Sequence, residues 1–170
     1  DMYGLNNKMT ADCGRRCLLG RRLLEQGVRF VQIYSGGPIA GSPRASWDAH
    51  ESVRQNHGFE ASRIDRPVAA LLRDLRQRGM LDDTLVVIST EFGRTPQINQ
   101  LAGRDHWPQC GFSLMIGGGV RRGHVHGRTD KQAAYPESHP VKVADFVATI
   151  YQLMGIDPHM TVNYRQGRPI

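Results

Sequence analysis

Carboxylate, imidazole and guanidinium side chains gather just past a predicted strand of this 170-residue chain. Glu91 follows the apolar run at 85–88, Arg94 comes three residues later, and Asp105 and His106 lie a little further on. In open α/β sheets, ligands bind at the carboxyl ends of the strands. Carboxylate oxygen and imidazole nitrogen are also the ligands that divalent metals take from proteins. The stretch therefore predicts a metal-dependent site at a strand end.

A second candidate pair, Asp48 and His50, follows a loop rich in glycine, proline and serine. Residues i and i+2 of an extended segment project to the same side, so this carboxylate and imidazole can share one metal ion. A turn-capping aspartate beside a surface histidine fits the same spacing equally well. His57 is a candidate substrate contact or part of a simple turn.

Two interpretations of Glu91 are open. A carboxylate is costly to bury without a partner, so Glu91 requires a metal ion, water or a cation. An internal ion pair with Arg94 is the structural interpretation, and the position at a strand end favours the functional one. His106 is a candidate metal ligand, and Asp105 is placed to orient it through a hydrogen bond.

Further residues are candidates for an outer part of the site. Arg104 and Asp130 are predicted to bind substrate together with His57 and Asp105. Three histidines lie near Asp130 in the sequence, and we expect each of them to be exposed to solvent: His124, His126 and His139.

The formal net charge is +6, and the basic residues are mostly arginines. These arginines are scattered and form neither a long basic run nor a nucleic-acid-binding motif, so no specific nucleic-acid partner is expected. The longest apolar runs are far too short to span a bilayer. The chain is long enough for one domain with a core of its own.

Three cysteines are present, and two of them, Cys13 and Cys17, are spaced i, i+4 on a predicted helix. A disulfide within a regular helix has poor geometry. The chain has no Cys-x-x-Cys pair, so a zinc–thiolate site is not expected. The simplest interpretation of these cysteines, with Cys110, is as small core hydrophobes.

The periodicity of apolar residues predicts an α/β order of elements. Because helices between strands favour parallel pairing, we expect a three-layer α/β/α sandwich with a mostly parallel sheet. Helices are predicted at 11–26, 61–78 and 141–154, and strands at 28–34, 84–90 and 112–116.

Several segments together resemble the sulfatase-like bacterial proteins of a "domain of unknown function" family within the alkaline phosphatase superfamily. No single motif is specific to this family, but the order and spacing of all the motifs together are. The motifs cover nearly the whole chain. The matching segments are Trp47-Asp48-x-His50, Asn56-His57, Asp65-Arg66-Pro67, Glu91-Phe92-Gly93-Arg94-Thr95, Gly103-Arg104-Asp105-His106, Gly117-Gly118-Gly119-Val120, Gly127-x-Thr129-Asp130, Asp145-Phe146-Val147-Ala148-Thr149-Ile150 and Gly155-Ile156-Asp157-Pro158.

The resemblance implies an alkaline-phosphatase-like fold that holds one or two divalent metals, whether Zn, Ca, Mg or Mn. It implies metal ligation by Asp48, His50, Glu91 and His106, and it suits Arg94 to a sulfate or phosphate oxygen. Phe92, which cannot bind a metal, stands where the superfamily usually has a histidine.

The superfamily's nucleophile comes from an N-terminal half, so we expect residues 1–170 to form the C-terminal part of a single, incomplete sulfatase-like domain. The predicted function is hydrolysis of small-molecule or saccharide sulfate or phosphate esters, with this part inactive or very weak without its N-terminal half. Relatives are commonly exported or periplasmic. The alternative is a non-catalytic binding or structural module that retains the fold.

Overall fold

A computed structural model describes residues 1–36 and 46–162 of the chain. This part contains three α-helices, one short 3₁₀-helix and six short strands. The helices are α1 (Ala11–Glu25), α2 (Val53–Gln77) and α3 (Val143–Leu153), with the 3₁₀-helix at Leu81–Asp83. The strands are β1 (Val86–Ser89), β2 (Gly93–Arg94), β3 (His106–Trp107), β4 (Ser113–Ile116), β5 (Arg128–Thr129) and β6 (Pro136–Ser138).

The small hydrophobic core lies where α1 packs against α2. Tyr3, Cys17 and Ala70 are buried there. Partly buried apolar side chains surround them: Leu5, Cys13, Leu18, Ile33 and Leu71. No helix in the described part of the chain has both the length and the apolarity needed to cross a membrane.

The predicted three-layer α/β/α sandwich with a mostly parallel sheet is wrong. The described strands form separate two-stranded sheets, β1–β4, β2–β3 and β5–β6, and all three pairs are antiparallel. A parallel pair needs a long crossover, usually a helix, whereas β1 and β4 are joined by a segment that contains only the short β2 and β3. The apolar run at 85–88 is typical of a buried strand, but β1 is only partly buried.

The predicted strand at 28–34 is also wrong, because no strand is assigned in that segment. It lies along α1 through side-chain packing. A Cβ added at Gly20 would lie 3.1 Å from Cδ1 of Ile33, and Arg16 Nη1 donates to the carbonyl oxygen of Tyr34 over 2.9 Å. The β-branched residues of the segment therefore pack against a helix and form no ladder.

The remaining predicted elements are confirmed in kind. α1, α3, β1 and β4 lie within the predicted ranges. α2 begins at Val53, earlier than predicted, because Val53 N donates to the carbonyl oxygen of Ala102 and Asn56 Nδ2 donates to that of Glu51. The predicted glycine- and proline-rich loop falls almost entirely at 37–45, outside the described residues.

Candidate metal centre

The hairpin of β2 and β3 positions one side of the site. Arg94 pairs with His106 across this ladder, and Thr95 N donates to the carbonyl oxygen of Asp105 over 2.9 Å. A Cβ at Gly93 would lie 1.8 Å from the carbonyl oxygen of Cys110. Only glycine allows the two backbones to approach this closely, so the position of Arg94 depends on it.

The segment that carries Asp48 and His50 is held against this hairpin by backbone contacts. Arg104 N donates to the carbonyl oxygen of Ala49 over 3.1 Å. A Cβ at Gly103 would lie 1.9 Å from the carbonyl oxygen of His50, so glycine is required there too. These contacts join residues that α2 separates in the sequence.

Asn99 joins the segment that carries Asp48 and His50 to the β2–β3 hairpin by hydrogen bonds. Asn99 was not identified as a site residue from the sequence. Its Nδ2 donates to the carbonyl oxygen of His50 over 2.9 Å and to Asp105 Oδ1 over 3.2 Å. Its Oδ1 accepts from the backbone N of Leu101 and of Gly103. The sequence signal was an asparagine within a turn, a type that often bonds the local backbone.

Three donor atoms converge on one point at the centre of the site. Asp48 Oδ1 lies 2.8 Å from His106 Nε2 and 3.1 Å from His50 Nε2, and the two Nε2 atoms are 3.1 Å apart. All three side chains are exposed to solvent. The described residues thus contain a possible metal-binding triad of one carboxylate and two imidazoles.

The geometry of this triad fits a metal ion. With bonds of 2.0–2.2 Å, ligands on a tetrahedral Zn²⁺ lie roughly 3.3–3.5 Å apart, so the three atoms need to separate by only a few tenths of an ångström. Three protein ligands and one open position are typical of catalytic zinc sites, whereas structural sites have four protein ligands. The exposed side of the triad leaves room for water or substrate.

The Nδ1 atom of His50 contacts a carboxylate, which favours one tautomer of the imidazole ring. His50 Nδ1 lies 2.8 Å from Asp105 Oδ1. When Nδ1–H donates to this carboxylate, the lone pair of Nε2 points toward Asp48 and His106, as in carboxylate–histidine–metal arrangements. Asp105 was expected to orient His106, but the histidine that it contacts through this bond is His50.

Asp48 is ionised under ordinary conditions. The hydrogen bond with His106 and that from Arg94 lower its pKa to about 2. The Arg94 Nη2 atom lies 2.6 Å from Asp48 Oδ1, so the charge of Asp48 is paired even without a metal ion. The alternative interpretation of Glu91, an ion pair with Arg94, is not among the contacts of the described residues; Asp48 pairs with Arg94 instead.

The remaining residues that the sequence predicted for the site do not belong to the triad. Glu91 is exposed and does not belong to the triad. Arg104 supports the hairpin by donating through Nη2 to the carbonyl oxygen of Arg94. His57 Nε2 lies 2.9 Å from the carbonyl oxygen of Trp47. Asp130 accepts from three backbone N–H groups of its own loop.

Aromatic side chains border the triad. The ring of Phe92 lies 4.3 Å from that of His106, centroid to centroid. Trp107 Nε1 donates to the carbonyl oxygen of Ala134 over 2.6 Å, which ties the β5–β6 connection to the site hairpin. Phe92 thus packs against a candidate ligand and limits the movement of its ring.

The chain belongs to the family described as "Protein of unknown function (DUF1501)", whose model matches residues 1–170. No curated protein and no solved structure matches the chain. The resemblance to a domain-of-unknown-function family is therefore confirmed. Its placement within the sulfatase-like alkaline phosphatase superfamily stays a prediction.

Proposed function

We propose that the protein containing this chain is a metal-dependent hydrolase of sulfate or phosphate esters. The observation that carries the proposal is the convergence of Asp48 Oδ1, His50 Nε2 and His106 Nε2 within 3.1 Å of one another on an exposed surface. Three protein ligands and an open position are typical of the zinc sites that assist hydrolysis.

The donor set favours zinc among the metals that the sequence resemblance implies. Imidazole nitrogen suits Zn²⁺, whereas Mg²⁺ and Ca²⁺ prefer sites built of oxygen atoms. A bound ion of this kind polarises an ester oxygen and lowers the pKa of a bound water or nucleophile. Asp48 and the two histidines would hold it, and Asp105 would keep His50 in the binding tautomer.

Arg94 is placed to bind the anionic group of the ester. Its guanidinium donates to Asp48 Oδ1 and to the carbonyl oxygens of Trp47 and Arg104. These bonds use three of its five N–H groups, so two remain to donate to a sulfate or phosphate oxygen. Because the side chain is only 15% exposed, its orientation is fixed before substrate arrives, which favours stabilisation of developing negative charge.

Metal content is the direct test of the proposal. We expect the purified wild-type chain to hold about one Zn²⁺ more per chain after dialysis than the double variant Asp48→Ala with His106→Ala, measured by mass spectrometry. His124→Ala is the matched control, because it removes an exposed histidine outside the triad. Absence of zinc binding by the wild-type chain, or equal binding by the double variant, would contradict the proposed site.

Activity is tested on the longest natural form of the protein, with aryl sulfates and aryl phosphates. We expect hydrolysis that is abolished by the same double variant and reduced by Arg94→Ala. Arg94→Lys retains the charge but loses the forked geometry, so it should restore only part of the rate. Metal binding without turnover of either ester class would reject the hydrolase while leaving the metal site in place.

A non-catalytic binding or structural module is the second candidate, and one contact favours it. The 2.6 Å ion pair between Arg94 and Asp48 satisfies the carboxylate without a metal ion. This module predicts that Zn²⁺ changes the melting temperature of the wild type and of the Asp48→Ala, His106→Ala double variant equally. A hydrolase site predicts a larger rise in the wild type, because the ion binds only the folded state.

A further inference from the structure

A second group of metal-binding atoms lies on α1, on an element that does not contribute to the triad. The Sγ atoms of Cys13 and Cys17 are 4.0 Å apart. Cys17 is 3% exposed, within the core, and Cys13 is partly buried beside it. Both cysteines are free thiols.

This pair is better suited to binding a metal ion than to forming a disulfide. Cβ atoms at i and i+4 of a helix are about 5–6 Å apart, whereas a disulfide needs about 3.5–4.5 Å. With metal–sulfur bonds of about 2.3 Å, sulfurs 4.0 Å apart subtend an angle of roughly 120° at a bridging ion. Both sulfurs can therefore reach one ion without unwinding the helix.

The surroundings make Cys13 the more acidic thiol of the pair. The hydrogen bond with Cys17 lowers the pKa of the Cys13 thiol, burial raises it, the charges of Arg16 and Arg63 lower it, and that of Asp12 raises it. The same hydrogen bond, with burial, raises the pKa of Cys17.

A small cavity gives access to Cys13 from outside the helix. Its volume is about 10 Å³, enough for one water-sized ligand. Arg16, Tyr34 and Arg63 line it together with Cys13. Asp12 also lines the cavity, and the carboxylates of Asp12 and Glu60 pair with Arg16 and Arg63, so the positive charge of the two arginines is already partly balanced. The cavity leaves space for a third ligand.

We propose that Cys13 and Cys17 form a binding site for a single thiophilic d¹⁰ metal ion of the Cu⁺, Zn²⁺ and Cd²⁺ class. The ion bonds to both sulfurs, and the protons of the two thiols are released to solvent, so no oxidant or reductant takes part. Soft thiolate ligands select such ions over Mg²⁺, Ca²⁺ and Mn²⁺. The chain would then hold two different metals at two separate places.

Cadmium is the probe, because it remains divalent and its thiolate bonds give an ultraviolet charge-transfer absorption. The full chain is titrated with Cd²⁺ in a phosphine reductant that contributes no thiol. We expect a band that saturates at one ion per chain and disappears in Cys13→Ser. Cys110→Ser is the matched control, because Cys110 is also a partly buried free cysteine and its loss should leave the band unchanged.

Two further variants keep the result decisive. Because Cys17 lies in the core, it is replaced by alanine, which introduces no buried hydroxyl. Circular dichroism first checks that Cys17→Ala folds like the wild type. Loss of the band in a folded Cys17→Ala supports the pair. The triad variant Asp48→Ala with His106→Ala should retain the band, which separates this site from the proposed hydrolase site. A band of equal strength in Cys13→Ser, or no band in the wild type, would overturn the proposal.

Discussion

At the scale of single residues, Asp105 is the side chain whose removal most directly tests the geometry of the triad. Its Oδ1 accepts from His50 Nδ1 and from Asn99 Nδ2, so it fixes both the ring orientation and the tautomer of His50. Outer partners of this kind commonly change metal affinity by 10- to 100-fold.

We therefore expect Asp105→Asn to weaken Zn²⁺ binding by about 10- to 100-fold while leaving the melting temperature of the metal-free chain almost unchanged. The amide oxygen can still accept from His50, but it brings no negative charge to the imidazole. Isothermal titration with Zn²⁺ measures the change. The control is Asp82→Asn, which alters an exposed aspartate paired with Arg122; equal affinity losses in both variants would show that Asp105 has no special role.

The sequence identified the residue types of this site but not their arrangement. His106 could be named because an imidazole near a strand end predicts metal binding, and Asp48 and His50 could be named from their i, i+2 spacing and the family resemblance. Asn99 could not, since its bonds to His50 and Asp105 depend on the fold, although its bonds to Leu101 and Gly103 are local. The involvement of Arg94 with Asp48, in place of Glu91, is likewise decided by the β2–β3 register.

At the scale of elements, α1 and α2 are joined by a buried charged network in addition to their apolar contact. Tyr3 Oη donates to Asp74 Oδ2 over 2.7 Å, Arg78 Nε lies 2.7 Å from Asp74 Oδ1, and Arg21 Nε lies 2.9 Å from Oδ2. Burial opposes the ionisation of Asp74, but these bonds and charges outweigh it and lower its pKa below 3.8.

This network predicts an alkaline decline in stability that depends on Tyr3. Burial and the hydrogen bond to Asp74 raise the pKa of Tyr3 from 10.0 to about 12. Because the folded-state pKa is the higher one, the contribution is complete below pH 10 and is lost as the pH rises through about 12. A two-unit shift corresponds to roughly 2–3 kcal/mol of unfolding free energy.

Tyr3→Phe should therefore lower the free energy of unfolding by about 1.5–3 kcal/mol at neutral pH, the value of a hydrogen bond to a charged group. It should also remove this part of the alkaline decline. Urea unfolding at pH 8 and above pH 10 measures both effects, and Tyr151→Phe controls for the loss of a hydroxyl from a more exposed tyrosine. A decline of the same size in Tyr3→Phe and wild type would refute the assignment to Tyr3.

Element types were more predictable than element partners. Apolar periodicity located α1, α3, β1 and β4, because each depends on its own residues. The segment at 28–34 has strand-forming residues but packs on α1, and β1 pairs with β4 in an antiparallel register. Strand pairing joins segments that are distant in the sequence, and the residues of one strand carry little information about its partner. The strand partners were therefore not predictable from the sequence, and the expected parallel sheet was wrong.

At the scale of the whole molecule, the described residues leave large apolar side chains exposed to solvent. Phe112 is 82% exposed and Val143 80%. In the described part of the chain, β1 and β4 pair only with each other, so each keeps an edge that can accept another strand.

These features predict that the isolated chain self-associates at micromolar concentration, since exposed apolar surface and open strand edges both promote association. Sedimentation velocity over a range of concentrations should show a weight-average mass that rises above 19.0 kDa. Leu114→Lys, which places a charge on β4 at a residue 48% exposed, should reduce the association. Val125→Lys adds the same charge at an exposed residue outside any strand, so it should reduce association less. A monomer at every concentration, with a single cooperative melting transition, would show that the exposed surface is tolerated and that the chain is stable without a partner.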